Sequence, residues 1–307
     1  MIALRLRPIF NVLRLLLLGT ALVLIVVYIA GNRQAINEQL STQPDWRYLG
    51  LSFLSAALAS VVFAVKINEF FSIFGERFPI TRVFTSYCRS SLLTILPGGI
   101  WNHLNLGSEL YDLGAGYSLR QIGILIVLMT GADALSVLLF VPLLASGAAV
   151  TVLTIVMSSL VISMIFLIVV VGNRIGKIGT PLRLRRVITS IVLLYLHWLL
   201  VGGAFTLMLL AFHQSIPAFG ANVAIYDLAW LAGFLFLPAP GGMGVREFVL
   251  QRLYDSIGAG ITYAVIFSVI FRVLIIMRDI LLVTLGLLVG KMPRRTRQLL
   301  TDLHGRA

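Results

Sequence analysis

Arg246 and Glu247 stand in apolar surroundings just beyond the string Pro240-Gly241-Gly242-Met243-Gly244. A proline ends an incoming helical arm, because it has no N–H to give and clashes with the preceding turn. The glycines after it allow a tight reversal and let backbone come close to a ligand. The next helix then begins inside apolar surroundings, with unpaired N–H groups and the positive end of its dipole exposed. Such a terminus suits an anion, and a lipid phosphate is the obvious candidate. Arg246, in the first turn of that helix, adds a planar fork of donors that fits a phosphate. A second reading has Arg246 neutralise Glu247 or Asp133 and fix the local fold. The glycines likewise have two readings, ligand approach or close helix packing.

The break is duplicated. Pro97-Gly98-Gly99 lies 143 residues before Pro240-Gly241-Gly242, and Tyr111-Asp112 follows the first copy at the distance at which Tyr254-Asp255 follows the second. With a one-residue gap, Gly114-Ala115-Gly116 also matches Gly258-Ala259-Gly260. After the first break, Asn102, Asn105, Glu109 and Asp112 share one helical face. After the second, Glu247, Gln251, Tyr254 and Asp255 do the same. Ionised carboxylates cannot face hydrocarbon without partners, so each stripe predicts a wet or polar cavity, or outer turns at the interface.

Other ionisable groups fall within apolar runs. Asp133 lies mid-way through 119–145, and Arg272, Arg278 and Asp279 lie within the last run, with Arg272 and Asp279 seven apart on one face. These charges either line a substrate path or form a structural Asp133–Arg272 pair. His197 is expected to be a hydrogen-bonded core residue. Arg89 either faces the cavity or snorkels to headgroups. The four histidines have no metal-ligand spacing, and phosphate-loop, dinucleotide and zinc-helix motifs are missing, so no metal or cofactor is expected.

The elements that must position these residues are apolar helices. The chain is 59% hydrophobic and 12% charged, with mean hydropathy +0.99, which excludes a water-soluble globule. Spanning helices are expected at about Leu13–Ala30, Tyr48–Val65, Leu119–Ala145, Val150–Val171, Val187–Phe212 and Ile261–Gly290. The stretch 15–30 follows Arg5, Arg7 and Arg14 as a signal peptide would, but it lacks a small-residue cleavage pattern and reads as a retained first helix. The regions Val83–Gly116 and Asn222–Gly260 each split at a Pro-Gly-Gly into two short arms. Each is expected to be a re-entrant helical hairpin, tolerated at depth only where protein or water covers it. Polar stretches are too short for a folded extramembrane domain, so 1–307 reads as a single integral membrane domain. The one cysteine, Cys88, excludes an internal disulfide.

Charge sets the orientation. The net charge of +12 is read as anchoring to an anionic lipid surface, not as nucleic-acid binding. Arg174, Lys177, Arg183, Arg185 and Arg186 crowd the linker 173–186 without an acid, and Lys291, Arg294, Arg295 and Arg297 crowd the tail. The connections Ser146–Ala149 and His213–Ala221 carry no Lys, Arg, Asp or Glu. Both termini and the basic linker are therefore expected in the cytoplasm, in the cell membrane. Threading the spans brings the two hairpins in from opposite sides, as inverted repeats of about 48–146 and 187–290.

The string Leu237-Pro-Ala-Pro-Gly-Gly-Met-Gly-Val-Arg-Glu247 resembles a signature of the lysylphosphatidylglycerol synthase transmembrane region and the flippase-like proteins sharing that domain. Leu96-Pro-Gly-Gly-Ile100 sits where that family carries its other Pro-Gly motif, and the resemblance runs from about Arg14 to Gly290. Where many relatives have Gly-Asp and then Arg after the first motif, this chain has Asn102-His103 and Leu106. The resemblance implies handling or movement of lipids, including aminoacylated phospholipids and lipid-linked glycan precursors. The 17 residues after Gly290 leave no room in this sequence for the family's soluble aminoacyl-transferase domain, so lipid aminoacylation is not expected.

The expected fold is thus an all-α polytopic membrane protein, about six transmembrane helices with two re-entrant hairpins in inverted-repeat arrangement. The expected role is non-enzymatic translocation of an anionic phospholipid or lipid-linked precursor. Pro97, Gly98, Gly99, Asn102, Glu109 and Asp133 would serve it from the first half. Pro240, Gly241, Gly242, Gly244, Arg246, Glu247, Arg272 and Asp279 would serve it from the second. The alternatives are a non-transporting partner of a lipid or glycan synthase, a separate glycosyltransferase included, and a membrane-embedded transferase with a lipid-linked donor. Oligomerisation is compatible with each. No ATP site is recognisable, so energy would come from an ion gradient, a partner or the lipid gradient itself.

Overall fold

The computed structural model describes residues 43–91, 101–113, 116–144, 184–236, 242, 244–258 and 264–290, with isolated positions within 27–37 and 151–170. All regular structure among them is helical. The helices are α1 (Trp46–Ile73), α2 (Ile80–Ser91), α3 (Trp101–Asp112) and α4 (Leu119–Ser136). They continue with a 3-10 segment (Val137–Leu144), α5 (Leu184–Ala211), α6 (Phe219–Leu235), α7 (Val245–Ser256) and α8 (Ala264–Gly290). Among the described residues three helices, Trp46–Ile73, Arg120–Leu144 and Arg185–Ala211, are long and apolar enough to cross a membrane. The protein is membrane-embedded and all-helical.

The core forms around α1 and α5, which run antiparallel. Asp45 N–H donates to the Ala211 carbonyl (2.8 Å), and Arg186 Nη1 donates to the Ser72 carbonyl at the other end. Small residues bring the backbones together: Ala56, Ala59 and Ala204 are fully buried. Ser52 and Ser55 hydroxyls donate across the seam to the Ala204 and Leu200 carbonyls at 2.7 and 2.8 Å. Close approach through small and hydroxyl side chains is how helices associate where lipid removes the hydrophobic drive between them.

Local signals set the helix ends. The Asp45 side chain caps α1 through Arg47 N–H. Gly75 at φ 91° closes it, with Gly75 N–H on the Ser72 carbonyl and Glu76 N–H on the Phe71 carbonyl. A reciprocal Ser118–Gln121 capping box starts α4.

The expected span Tyr48–Val65 proves to be α1, which continues through Lys66 to Ile73. A lysine reads as a helix leaving the apolar layer. Here Lys66 is 1% exposed because Asp133 of α4 lies 2.6 Å from its Nζ, so the helix carries it inward. From Leu119 the run is helical as expected, but Val137–Leu144, with Pro142 among them, tightens into a 3-10 helix. Val187–Phe212 matches α5, in which Arg185 and Arg186 of the basic linker already take part. The 27-residue α8 lies within the run expected as the last span, Ile261–Gly290, and carries Arg272, Arg278 and Asp279. Both interrupted regions are pairs of helices packed on each other, α2 with α3 and α6 with α7. Leu13–Ala30 (apart from isolated positions), Val150–Val171 (apart from isolated positions), the linker before Leu184, and Pro97, Gly98, Gly99, Pro240 and Gly241 lie outside the described residues.

Candidate functional site

At the edge of the second break, Gly242 lies against Gly233 of α6. Gly242 has φ 71°, and a Cβ there would lie 2.6 Å from the Gly233 Cα. Only glycine combines that conformation with that approach. Gly244, at φ 85°, precedes α7, and its N–H donates to Glu247 Oε2 at 2.7 Å. Arg246 and Glu247, in the first turn, are 8% and 6% exposed.

Glu247 is fully engaged. Its Oε1 accepts from Ser268 Oγ (3.0 Å) and Arg272 Nε (3.0 Å), with Arg272 Nη2 at 2.9 Å, while Oε2 caps the helix. A buried carboxylate needs such a set of donors to stay ionised. Arg246 therefore does not rest on Glu247. Its guanidinium lies over the Tyr226 ring, 4.5 Å from the centroid, and donates to Tyr226 Oη. Arg246 Nε is buried without a hydrogen-bond partner. Two guanidinium groups thus flank one carboxylate at the start of a half-helix, a net positive centre with an unspent donor.

Both pairings weighed for Asp133, with Arg246 and with Arg272, are replaced by another. Asp133 pairs with Lys66, not with Arg272 or Arg246, because α1 and α4 bring the lysine to it. Lys66 Nζ also sits 3.7 Å over the Phe63 ring, and Trp198 Nε1 donates to the Asp133 carbonyl (3.1 Å). Asp279 pairs with its neighbour Arg278 at 2.7 Å, and Arg278 Nη1 reaches the Ala56 carbonyl at 3.3 Å. Asp279 is therefore tied to the α1 side, whereas Arg272 faces α7. His197 is buried with Nδ1 3.0 Å from the Ala59 carbonyl, the expected core role.

The polar stripes after the breaks zip the hairpin arms together. In the first, Asn105 Nδ2 donates to Ser90 Oγ (2.9 Å) and Ser86 Oγ to Glu109 Oε2 (3.2 Å), with Arg89 Nη1 3.6 Å from Glu109. Asn102 Oδ1 accepts from the His103 N–H (2.9 Å), and Asp112 is exposed. In the second, the Tyr254 hydroxyl donates to Asn222 Oδ1 and Asn222 Nδ2 to Thr206 Oγ1 (2.7 Å), a chain from α7 through α6 to α5. Gln251 donates to Asp255 (2.9 Å) at the exposed end.

Gly242, Gly244, Arg246, Glu247 and Arg272 come together as one site. Asp133, Asp279, Asn102 and Glu109 do not join it. Sequence reasoning missed Lys66, Tyr226, Asp227 and Ser268. The first and third were detectable as ionisable residues within apolar runs. Tyr226 and Ser268 carry no signal before the helices are packed.

No family model, curated protein or solved structure matches the chain.

Proposed function

We propose that the protein moves an anionic phospholipid or lipid-linked precursor between membrane leaflets, with the phosphate held at the start of α7 by Arg246. The observation that carries this reading is the charge balance around Glu247. Its carboxylate is committed to Arg272, Ser268 and Gly244, which leaves the buried Arg246 with a tyrosine and an unpartnered Nε. A buried guanidinium in need of an acceptor, at a helix start, is built for an oxyanion.

In this reading the chain has about six spans, and α2–α3 and α6–α7 are re-entrant hairpins entering from opposite sides. Arg272 and the half-helix termini share the phosphate charge with Arg246. Acyl chains stay in lipid while the headgroup crosses between the hairpins, which open alternately to each side. The Lys66–Asp133 and Arg278–Asp279 pairs hold the walls of the groove.

The test is headgroup accessibility in proteoliposomes. Fluorescent phospholipids of several charges are reduced from outside, with wild type compared against Arg246→Ala and Arg246→Lys. Wild type is expected to speed the loss of inner-leaflet signal for anionic lipids, and Arg246→Ala to lower that rate at least tenfold. Arg246→Lys should recover part of it, because an ammonium keeps the charge but not the fork. A folded Arg246→Ala protein with the wild-type rate removes the clamp, and no acceleration with any lipid removes translocation.

A further inference from the structure

Asp227, in α6, is 0% exposed, and neither of its carboxylate oxygens has a hydrogen-bond partner. Buried polar groups are nearly always satisfied, and a carboxylate with none of its acceptors used calls for a physical reason.

Its surroundings can be read from α6. At Gly220 a Cβ would stand 3.1 Å from Leu143 Cδ1 of the 3-10 segment, and at Gly202 of α5 one would stand 2.7 Å from Val223 Cγ1. Asp227 lies seven residues beyond Gly220 and four beyond Val223, so it continues the stripe of α6 that meets the 3-10 segment and α5. Further along, Trp230 packs on Trp198 with ring centroids 4.4 Å apart.

The titratable groups on the elements packed against α6 are placed elsewhere. The 3-10 segment, VLLFVPLL, has none. On α5, Tyr195 stacks on Phe140, His197 bonds the Ala59 carbonyl, Arg186 bonds the Ser72 carbonyl and Arg185 is exposed. On α7, Arg246 rests on Tyr226, Glu247 on Arg272, Tyr254 on Asn222 and Asp255 on Gln251, while Arg252 lies near the Phe248 ring. Asp133 of α4 belongs to Lys66.

Charge on such a carboxylate is tolerated only when something neutralises it. A metal cation needs several oxygen ligands, and this stripe offers glycine, valine, leucine and tryptophan. A proton needs one oxygen. The cover over the stripe is also poorly held, because eight residues of 3-10 helix with a proline inside form an unusually long run with weak hydrogen-bond geometry. Next to Asp227 in sequence is Tyr226, on which Arg246 lies, so a shift of α6 moves the carboxyl and the anion site together.

We infer that Asp227 is the proton-carrying group that couples lipid translocation to a proton gradient. One carboxylate oxygen binds H+ from one side when the seam between α6 and the 3-10 segment opens, and releases it to the other side. The carboxylate is restored each cycle, with one proton moved and no other bond changed. This inference rests on the translocation reading.

Two measurements on the full-length protein in liposomes test it. In infrared difference spectra between acidic and alkaline buffer, wild type is expected to show a protonated-carboxyl stretch that Asp227→Asn lacks. Absence of any band that differs between the two overturns the inference, whatever the lipid assay shows. With fluorescent phosphatidylglycerol and an imposed gradient of one pH unit, wild type should distribute the lipid up to about tenfold unevenly for one proton per lipid. Asp227→Asn should still equilibrate the lipid but ignore the gradient. If Asp227→Asn does not fold, Asp227→Glu takes its place and is expected to keep the gradient response with a displaced band. A folded Asp227→Asn that still follows the gradient overturns the coupling. Failure of all lipid movement instead removes the translocation reading and leaves the infrared result to decide the proton site.

Discussion

Arg246 and Lys66 show how differently two buried cations can be employed. Lys66 is matched by Asp133 at 2.6 Å, whereas Arg246, among the described residues, hydrogen-bonds only the Tyr226 hydroxyl and lies over its ring. A buried ion pair seldom stabilises more than well-packed apolar residues would, but losing one member leaves an uncompensated charge. Lys66→Met is therefore expected to destabilise the protein by about 3–5 kcal/mol, and Lys66→Met with Asp133→Leu to restore most of that loss. Thermal unfolding in detergent measures both. If the double variant also moves lipid at the wild-type rate, the pair is wall and not path. Either way, these charges do not act as one group, because among the described residues the buried carboxylates Asp133, Glu247 and Asp279 each have a nearby cationic partner and Asp227 has none.

At the scale of elements, Gly242 at the edge of the second break meets another glycine. Gly242 has the positive φ and the contact with Gly233, and Gly233 has Arg246 Cβ 3.1 Å from where its own Cβ would be. Gly233, Gly242 and Arg246 are thus in close contact, which holds the first turn of α7 against α6 where Arg246 lies over Tyr226. Gly242→Ala is expected to cost roughly 1–3 kcal/mol in stability from the left-handed backbone alone, with further loss from the backbone clash. Loss of lipid movement should accompany it even where the fold survives, because the half-helix start moves away. Thermal unfolding and the proteoliposome rate separate the two effects. Gly244→Ala meets open space and bears only the strain of its φ of 85°, so it should be the milder change in both measurements.

At the scale of the whole molecule, the proposed inverted arrangement makes a prediction about sidedness. Cys88 is buried in the α2 arm, so Cys88→Ser provides a background for single cysteines at chosen positions. In right-side-out membranes, cysteines within 146–149 and 213–218 are expected to react with an impermeant thiol reagent from outside. Those in 174–182 and 292–300 should react only after permeabilisation. The opposite pattern, or labelling of both groups from one side, overturns the inverted hairpins. The Asp45–Ala211 hydrogen bond, with His213 Nε2 3.4 Å from the Gln43 carbonyl beside it, already requires that positions 45 and 211 lie on the same side of the membrane.

The amino-acid sequence alone determined the class of protein and roughly where its long apolar helices lie. Long apolar runs must satisfy every backbone group internally, so α1, α4 with its 3-10 extension, α5 and α8 were legible from hydropathy. The second Pro-Gly-Gly unit reads as an interruption because proline removes a donor and glycine permits a left-handed turn, and α6 ends at Leu235 before it while α7 begins at Val245 after it. Arg246 and Glu247 could be singled out from type and position for the same reason. Partnership was not legible. Lys66 to Asp133 spans 67 positions and Glu247 to Arg272 spans 25, and both depend on which helix faces cross. Hydropathy says that a buried charge needs a partner but not which of several candidates the packing delivers. Only the tertiary structure could give Glu247 to Arg272, leave Arg246 with an unspent donor, and enclose Asp227 with no partner.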